Sequence, residues 1–414
     1  MPLASGDAAK SQAIYEFWAN PKVKAESILA SHRDAVVSRS AGYETVLAIQ
    51  DTTELNLTSH RATEGLGFIN QSKQQGLKVH SCFVVSEEGL PLGVVHQQSW
   101  SRQKRSGKSK QRRKLPIQHK ESYRWLESAT AAEDALGDSP RIVHVGDREA
   151  DIFELFAQPR QANAELLIRA EHNRKVGHEL DYLKPSVQQA PVLGKVLLEV
   201  ARNPKREART AELAVRAMNI TLMVPRNHPT PHKLQPVELN AIWVEEVTSP
   251  SDGGPPIRWL ILTTLAIESF EQVWQCVRWY SYRWLIERFH FTLKSGCGIE
   301  QLQLKTCPRM LNALATYNVI AWRVMWLLYQ SRLTPDASCE IILQSAEWKL
   351  LRRKFAPKSR SRKPPTLQQA VMWIARLGGF LARKSDGNPG LKTLWRGLKR
   401  LGDLMEGVRL AAKT

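Results

Sequence analysis

Cysteine is scarce in this chain: five residues in 414 (Cys82, Cys276, Cys297, Cys307 and Cys339), an odd number with no Cys-x-x-Cys spacing. That usage argues against both a disulfide framework and a zinc site, and it reads as ordinary reduced thiols. Long unbroken apolar runs are missing too. The most apolar stretch, Leu311 to Tyr329, is interrupted by Asn312, Asn318 and Arg323, and no charged-then-apolar leader opens the chain. The expectation is a soluble, cytoplasmic protein with no membrane partner. Acid is in short supply: 40 Asp and Glu against 59 Lys and Arg leave a net charge of +19. Such a surplus attracts polyanions, nucleic acid before an anionic membrane. There is no internal repeat.

What is present is enough apolar material, 43% of the residues, to bury a large core in two or three domains or one large one. The positive charge is clustered. Arg102 to Lys114 holds eight basic residues and no acid, and Lys349 to Lys363 holds another eight. One such run is as readily a solvated loop as a binding surface; two in one basic chain favour contacts to a DNA or RNA backbone.

Up to residue 44 the pattern is helical, through Ile14, Phe17 and Trp18 and then Pro21 to Leu29, with Asn20 as a cap ahead of the proline. Thr45 to Gln50 reads as a strand that ends on Asp51. Val79 to Val85 and Leu92 to His96 read as paired strands joined through EEGLP. Helical spacing over Tyr123 to Leu136 leads to a strand at Ile142 to Val145, then Asp147, a helix-like READIFELFA and a strand at Glu165 to Arg169. From 171 to 265 helical periodicity gives way to short β-rich runs separated by turn-forming segments. Beyond 305 the chain is helical again, with Leu367 to Leu377 and Leu391 to Leu410 amphipathic around Gly378 and Gly379. The fold class is α/β: a mixed-sheet core at 45–170 and 266–304, interrupted by a β-rich insertion at 171–265, with a helical segment at 1–44 and a helical region at 305–414.

Between Tyr280 and Lys294 the sequence YSYRWLIERFHFTLK places Tyr280, Arg283, Glu287 and Lys294 at offsets 0, 3, 7 and 14. On a helix these fall within roughly 60° of one another, opposite Leu285, Phe289 and Leu293. The stripe offers a carboxylate, two cations and a phenol, able to hold a divalent metal beside a phosphate. Trp284, next to Arg283, reads as a packing residue. One carboxylate holds Mg²⁺ poorly, so partners are needed. Asp51 and Asp147 stand where strands end and are placed to converge, with Asp151 a competing carboxylate one turn after Asp147. Each has a plainer reading: a cap or turn residue for the aspartates, an i, i+4 pair with Arg283 for Glu287. Taken together in a strongly basic chain, two strand-terminal aspartates and a helical glutamate point to two-metal phosphoryl transfer on nucleic acid.

The Tyr-x2-Arg-x3-Glu-x6-Lys spacing resembles the signature of bacterial DDE transposases of the insertion-sequence-four family. The likeness extends to LAIQDTTEL around Asp51, GDREADIF around Asp147, RWLILT around Trp259, KSGCGIE after the helix, and WIARLGGF near the C-terminus. The resemblance implies an RNase H-like core with a β-rich insertion and a C-terminal helical region that forms a homodimer. It implies that Asp51, Asp147 and Glu287 are the catalytic carboxylates that bind Mg²⁺, with Mn²⁺ able to substitute. Tyr280, Arg283 and Lys294 then hold phosphates, and Trp259, 21 positions before Tyr280, fills the gap left by a flipped base. Arg169 aligns with an insertion arginine near a DNA hairpin, with Arg174 as its companion. The partners are double-stranded DNA at the transposon ends and at the target, in a bacterial cytoplasm or nucleoid.

Two departures stand out. Phe291 occupies a position where relatives can carry another cation, and only 50 residues precede Asp51, fewer than the helical end-reading module of full-length relatives requires. Three readings follow: a transposase that nicks, resects through a hairpin and joins strands; a truncated, end-blind transposase acting as a dimerising inhibitor; and an unrelated RNase H-like nuclease, which the helix signature disfavours.

Overall fold

A computed structural model describes residues 8–70, 74–102, 115–177, 181–200, 208–250, 254–358, 361–383 and 386–412. The basic run at 102–114 therefore lies outside the described residues except for Arg102. Two helices lead, α1 (Ala8–Ala19) and α2 (Ala25–Ser40), followed by β1 (Thr45–Asn56), β2 (Gly67–Phe68), β3 (Gln75–Ser86) and β4 (Pro91–Trp100). Next come α3 (Tyr123–Leu136), β5 (Arg141–Gly146), the short α4 (Phe153–Ala157) and β6 (Ala164–Arg169). Between α1 and α2, Asn20 accepts from the Lys22 amide at 2.9 Å, so Asn-Pro makes a turn and not the helix cap expected. Helix α2 starts four residues later, after Lys24.

Strand order carries the architecture. β3 pairs with β4 on one side and with β1 on the other, antiparallel both times; β1, β5 and β6 then run parallel. A hairpin beside parallel strands gives the order β4-β3-β1-β5-β6 of an RNase H-like core. β1 is sandwiched, and its alternation shows it: Leu47 and Ile49 face one apolar cluster, Val46 and Ala48 another.

The 171–265 stretch adds to this sheet. After helix α5 (Leu183–Gln189) come β7 (Gly194–Val200), β8 (Arg209–Leu222), β9 (Val237–Glu246) and β10 (Arg258–Thr263). β10 pairs antiparallel with β6, so the insertion's strands continue the core sheet in the order β6-β10-β9-β8-β7. Two expectations change here. A helix occurs where none was read, and AELAVRA and the first three residues of ITLMVP belong to one long strand, β8, because no proline or glycine divides them.

Helices close one face. α6 (Phe270–Ser281), α7 (Trp284–Phe291), α8 (Cys307–Leu333), α9 (Ser345–Phe355), α10 (Leu367–Leu377) and α11 (Leu391–Ala411) share the large apolar cluster with Leu47, Ile49, Val143 and Val145. α10 packs tightly on α11: a Cβ on Gly397 would stand 1.8 Å from the Ile374 carbonyl oxygen. The four described cysteines at buried positions and the half-buried Cys307 are all free thiols.

Candidate active site

β1 continues past Asp51. The strand runs to Asn56, and Asp51 is paired with Ser81 in its middle, which corrects the expectation that a strand ends there. What ends near Asp51 is two-sided burial: pairing with β5 stops at Ile49 opposite Val145, and the strand is buried through Gln50 and part-exposed from Asp51. Asp147 follows β5 directly. It caps a single 3₁₀ turn, Arg148–Ala150, by accepting the Glu149 amide at 2.8 Å, and READIFELFA is broken into that turn and the five-residue α4. Gly146 permits the turn, since a Cβ there would meet the Ala150 Cβ at 2.5 Å. Two strands in register thus deliver Asp51 and Asp147 side by side.

The Tyr280–Lys294 segment is not one straight helix. The Ser269–Gln272 capping box opens α6, which ends at Ser281. Across the junction the backbone tightens to i+3 bonds: Arg283 N donates to the Tyr280 carbonyl at 3.0 Å and Leu285 N to that of Tyr282 at 2.8 Å. It then widens into a π turn at Thr292–Gly296. Tightening and widening of this kind mark strained or functional helix segments. Leu285, Phe289 and Leu293 are buried. The polar residues, however, fan out and do not form one line.

Glu287 is hydrogen-bonded to Arg283 one turn back. Tyr280 is 3% exposed, and its hydroxyl has no hydrogen-bond partner of good geometry although the Arg169 and Arg283 guanidinium groups act on it. Trp259 meets Tyr280 edge to face, ring centres 5.2 Å apart. Arg169, at the end of β6, donates to the Arg258 carbonyl at 3.0 Å. Lys294 reaches the far end of β1, donating to the Glu54 carbonyl at 2.9 Å. Arg174 stands apart, with its guanidinium committed to Asp151 at 2.8 Å. Trp284, expected to pack, is 48% exposed, because the tightened junction turns it outward. Phe291 is 52% exposed on the same helix.

The charges act on one another. Burial raises the Asp147 carboxyl above its ordinary value and Asp51 raises it further, against the Glu149 amide and Arg283. Burial also raises the Tyr280 phenol, which Arg283 and Arg169 pull back. Burial would lower Arg283, but Tyr280, Glu287 and Asp51 outweigh it and leave the guanidinium raised. Arg169 is lowered, chiefly by burial. Asp51, Asp147, Arg283, Glu287, Tyr280 and Arg169 are therefore one electrostatic unit.

Among the described residues, no three His, Cys, Asp or Glu side chains are drawn together tightly enough to hold a metal ion. Glu287 is bonded to Arg283. The donors suit a hard divalent cation: carboxylate oxygens, with no thiol among them. Asp51 and Asp147, just past the last β1–β5 pair, are donors of that kind, and Glu287 is a third carboxylate on the neighbouring helix.

Two neighbours carried no sequence signal of their own. His290, 5% exposed, brings Nδ1 to 3.5 Å from Asp51 Oδ2, with its Nε2 buried and unpartnered. Its spacing of three from Glu287 was the only hint. Arg124 donates to Thr52 Oγ1 at 3.0 Å and to Glu149 Oε2 at 2.6 Å, beside both aspartates.

No helix of the described residues is long and apolar enough to cross a membrane. Residues 319–414, from the middle of α8 to the C-terminus, match the family model of the transposase Tn5 dimerisation domain, and that match supports a Tn5-like transposase that pairs as a homodimer.

Proposed function

We propose that this chain is a DNA transposase that cuts and rejoins DNA by metal-dependent phosphoryl transfer, with Asp51, Asp147 and Glu287 as its metal-binding carboxylates. The observation that carries the reading is the electrostatic coupling of Asp51 on β1 and Asp147 just past the parallel β5 to Arg283, which holds Glu287 at a broken helix. When bound, Mg²⁺ or Mn²⁺ would supply Lewis-acid stabilisation to the attacking and leaving oxygens.

The chain's own residues supply the rest. An i, i+4 ion pair such as Arg283–Glu287 is worth only about 0.2–0.5 kcal/mol. A DNA phosphate, bound by the guanidinium fork at both oxygens, outcompetes it and frees Glu287 to turn toward the aspartates. Lys294 neutralises a second phosphate at the end of β1. Trp259, part-exposed and packed edge to face on the buried Tyr280, offers the ring on which an unpaired base stacks. Arg169 extends the positive rim toward the insertion, and the net charge of +19 draws the duplex in. The substrates on this reading are transposon ends and target DNA, and the reaction is nicking, hairpin formation and strand transfer within a homodimer.

The test is cleavage of a duplex carrying the cognate terminal repeat in Mg²⁺ or Mn²⁺, with binding measured alongside. Wild-type cleavage that disappears in Glu287→Ala while binding persists supports the reading; intact DNA despite wild-type binding sinks it. That second outcome would favour a cleavage-deficient dimer acting as an inhibitor, for which the dimerisation match at 319–414 is the motivating observation.

A further inference from the structure

Asp51 lies on β1 and Asp147 just past β5, and the pairing of those two strands stops short of both, at Ile49 and Val145, so contacts beyond the ladder hold the two segments to each other. Arg124, at the start of α3, touches both sides. Its Nε donates to Thr52 Oγ1 at 3.0 Å, one guanidinium nitrogen to Glu149 Oε2 at 2.6 Å, and the other to the Glu121 carbonyl at 2.8 Å. Thr52 follows Asp51 in the chain, and the Glu149 amide is the group that Asp147 caps.

The grip is rigid. The guanidinium lies over the Trp100 ring at 5.7 Å and the Trp125 ring at 5.6 Å, with the Arg124 side chain 10% exposed. Thr52 is held a second time by His80 Nδ1 at 2.9 Å, and His80 Nε2 bonds Gln50 Oε1 at 3.1 Å. Strand alternation sends Gln50 and Thr52 to the α3 face and Asp51 to the α7 face, where His290 meets it. The residues on either side of Asp51 are thereby pinned from behind.

We infer that Arg124 is a positioning residue that sets the spacing of the Asp51 and Asp147 carboxylates by bridging Thr52 and Glu149. The inference rests on the proposed metal-binding role of those carboxylates. A lysine can make one of these contacts at a time; the planar fork makes all three at once. Groups that orient metal ligands in this way change metal affinity by about 10–100-fold when altered.

The experiment is Mn²⁺ binding to the full chain without DNA, followed by the electron paramagnetic resonance of free Mn²⁺, in wild type, Arg124→Gln, Arg124→Lys and Asp51→Asn, with thermal melting of each. Expected is binding that Asp51→Asn abolishes, that Arg124→Gln weakens at least 10-fold, and that Arg124→Lys partly restores. Activity lost in Arg124→Gln should return at raised Mn²⁺, with DNA affinity unchanged. Wild-type affinity in a folded Arg124→Gln overturns the positioning role and leaves the carboxylate site standing. Absence of Mn²⁺ binding in wild type overturns that role together with the metal reading beneath it. Should Arg124→Gln fail to fold, Glu149→Gln and Thr52→Val each cut one arm: weakened Mn²⁺ binding in both supports the bridge, and unchanged binding in both refutes it.

Discussion

Asp147 and Asp151 lie four residues apart, yet the fold holds them in opposite ways. The Asp151 side chain is fully buried and fully satisfied: Oδ2 accepts the Glu171 and His172 amides, each at 2.8 Å, and Oδ1 accepts Arg174 Nε at 2.9 Å. It latches the loop after β6 to the turn after β5. Among the described residues, Asp147 accepts only the amide of its own turn and stands near Asp51, a like charge that together with burial raises its carboxyl. Folding alone does not favour such an arrangement. A carboxylate satisfied on all sides stabilises the fold; one left short of partners, beside another, is what a functional site looks like.

The sharpest way to break this contrast is to neutralise each aspartate. Asp147→Asn should lower metal-dependent cleavage by about 10⁴-fold or more while DNA binding, measured by gel shift, persists. Asp151→Ala should instead lower stability by about 3–5 kcal/mol, because it leaves Arg174 and two amides unpartnered at a buried position. Denaturant unfolding reads that loss. If Asp147→Asn unfolds the chain and Asp151→Ala merely stops cleavage, the roles are reversed.

A smaller effect concerns the Trp259 ring. Trp259→Ala should cost about 1–3 kcal/mol in the step that needs an unpaired base, seen as slowed hairpin formation with nicking less affected. Equal slowing of both steps would make Trp259 a packing residue for Tyr280.

The smallest effect has a pH signature. With its folded-state carboxyl raised above the unfolded value, Asp147 contributes stability that is present below the ordinary carboxylate range and lost as pH rises through the raised value. Asp147→Asn keeps the cap acceptor and removes that loss. The variant should melt higher than wild type at pH 7, and the gap should close in acid. A lower melting temperature at pH 7 would mean that the charge is stabilising.

Much of the fold was legible because it rests on local pattern. The apolar spacing of α3 gives its observed bounds, Tyr123–Leu136, and the hairpin around EEGLP forms where alternation and glycine place it. The elements that carry Asp51, Asp147 and Glu287 were also readable. What escaped depends on long-range partners. Asp51 reads as a strand end because polar residues begin there, but β3 continues to pair with β1 through Asn56. The junction at Tyr282 and Arg283 escaped because no glycine or proline marks it, and with it went the outward turn of Trp284. Arg124 and His290 lie far in sequence from Asp51: Arg124 reaches the adjacent Thr52 from α3, and His290 reaches Asp51 from α7. The Arg174–Asp151 latch was hidden for the same reason: its partners lie 20 or more residues away, on the loop after β6.

The central claim is that Asp51, Asp147 and Glu287 bind one divalent metal site. The most direct measurement is the anomalous difference density of crystals of the full chain grown with Mn²⁺. The account predicts a peak in contact with the Asp51 and Asp147 carboxylates, with Glu287 turned from Arg283 to join them. A Mn²⁺-loaded crystal with no peak between the two aspartates, and Glu287 still held by Arg283, would contradict it.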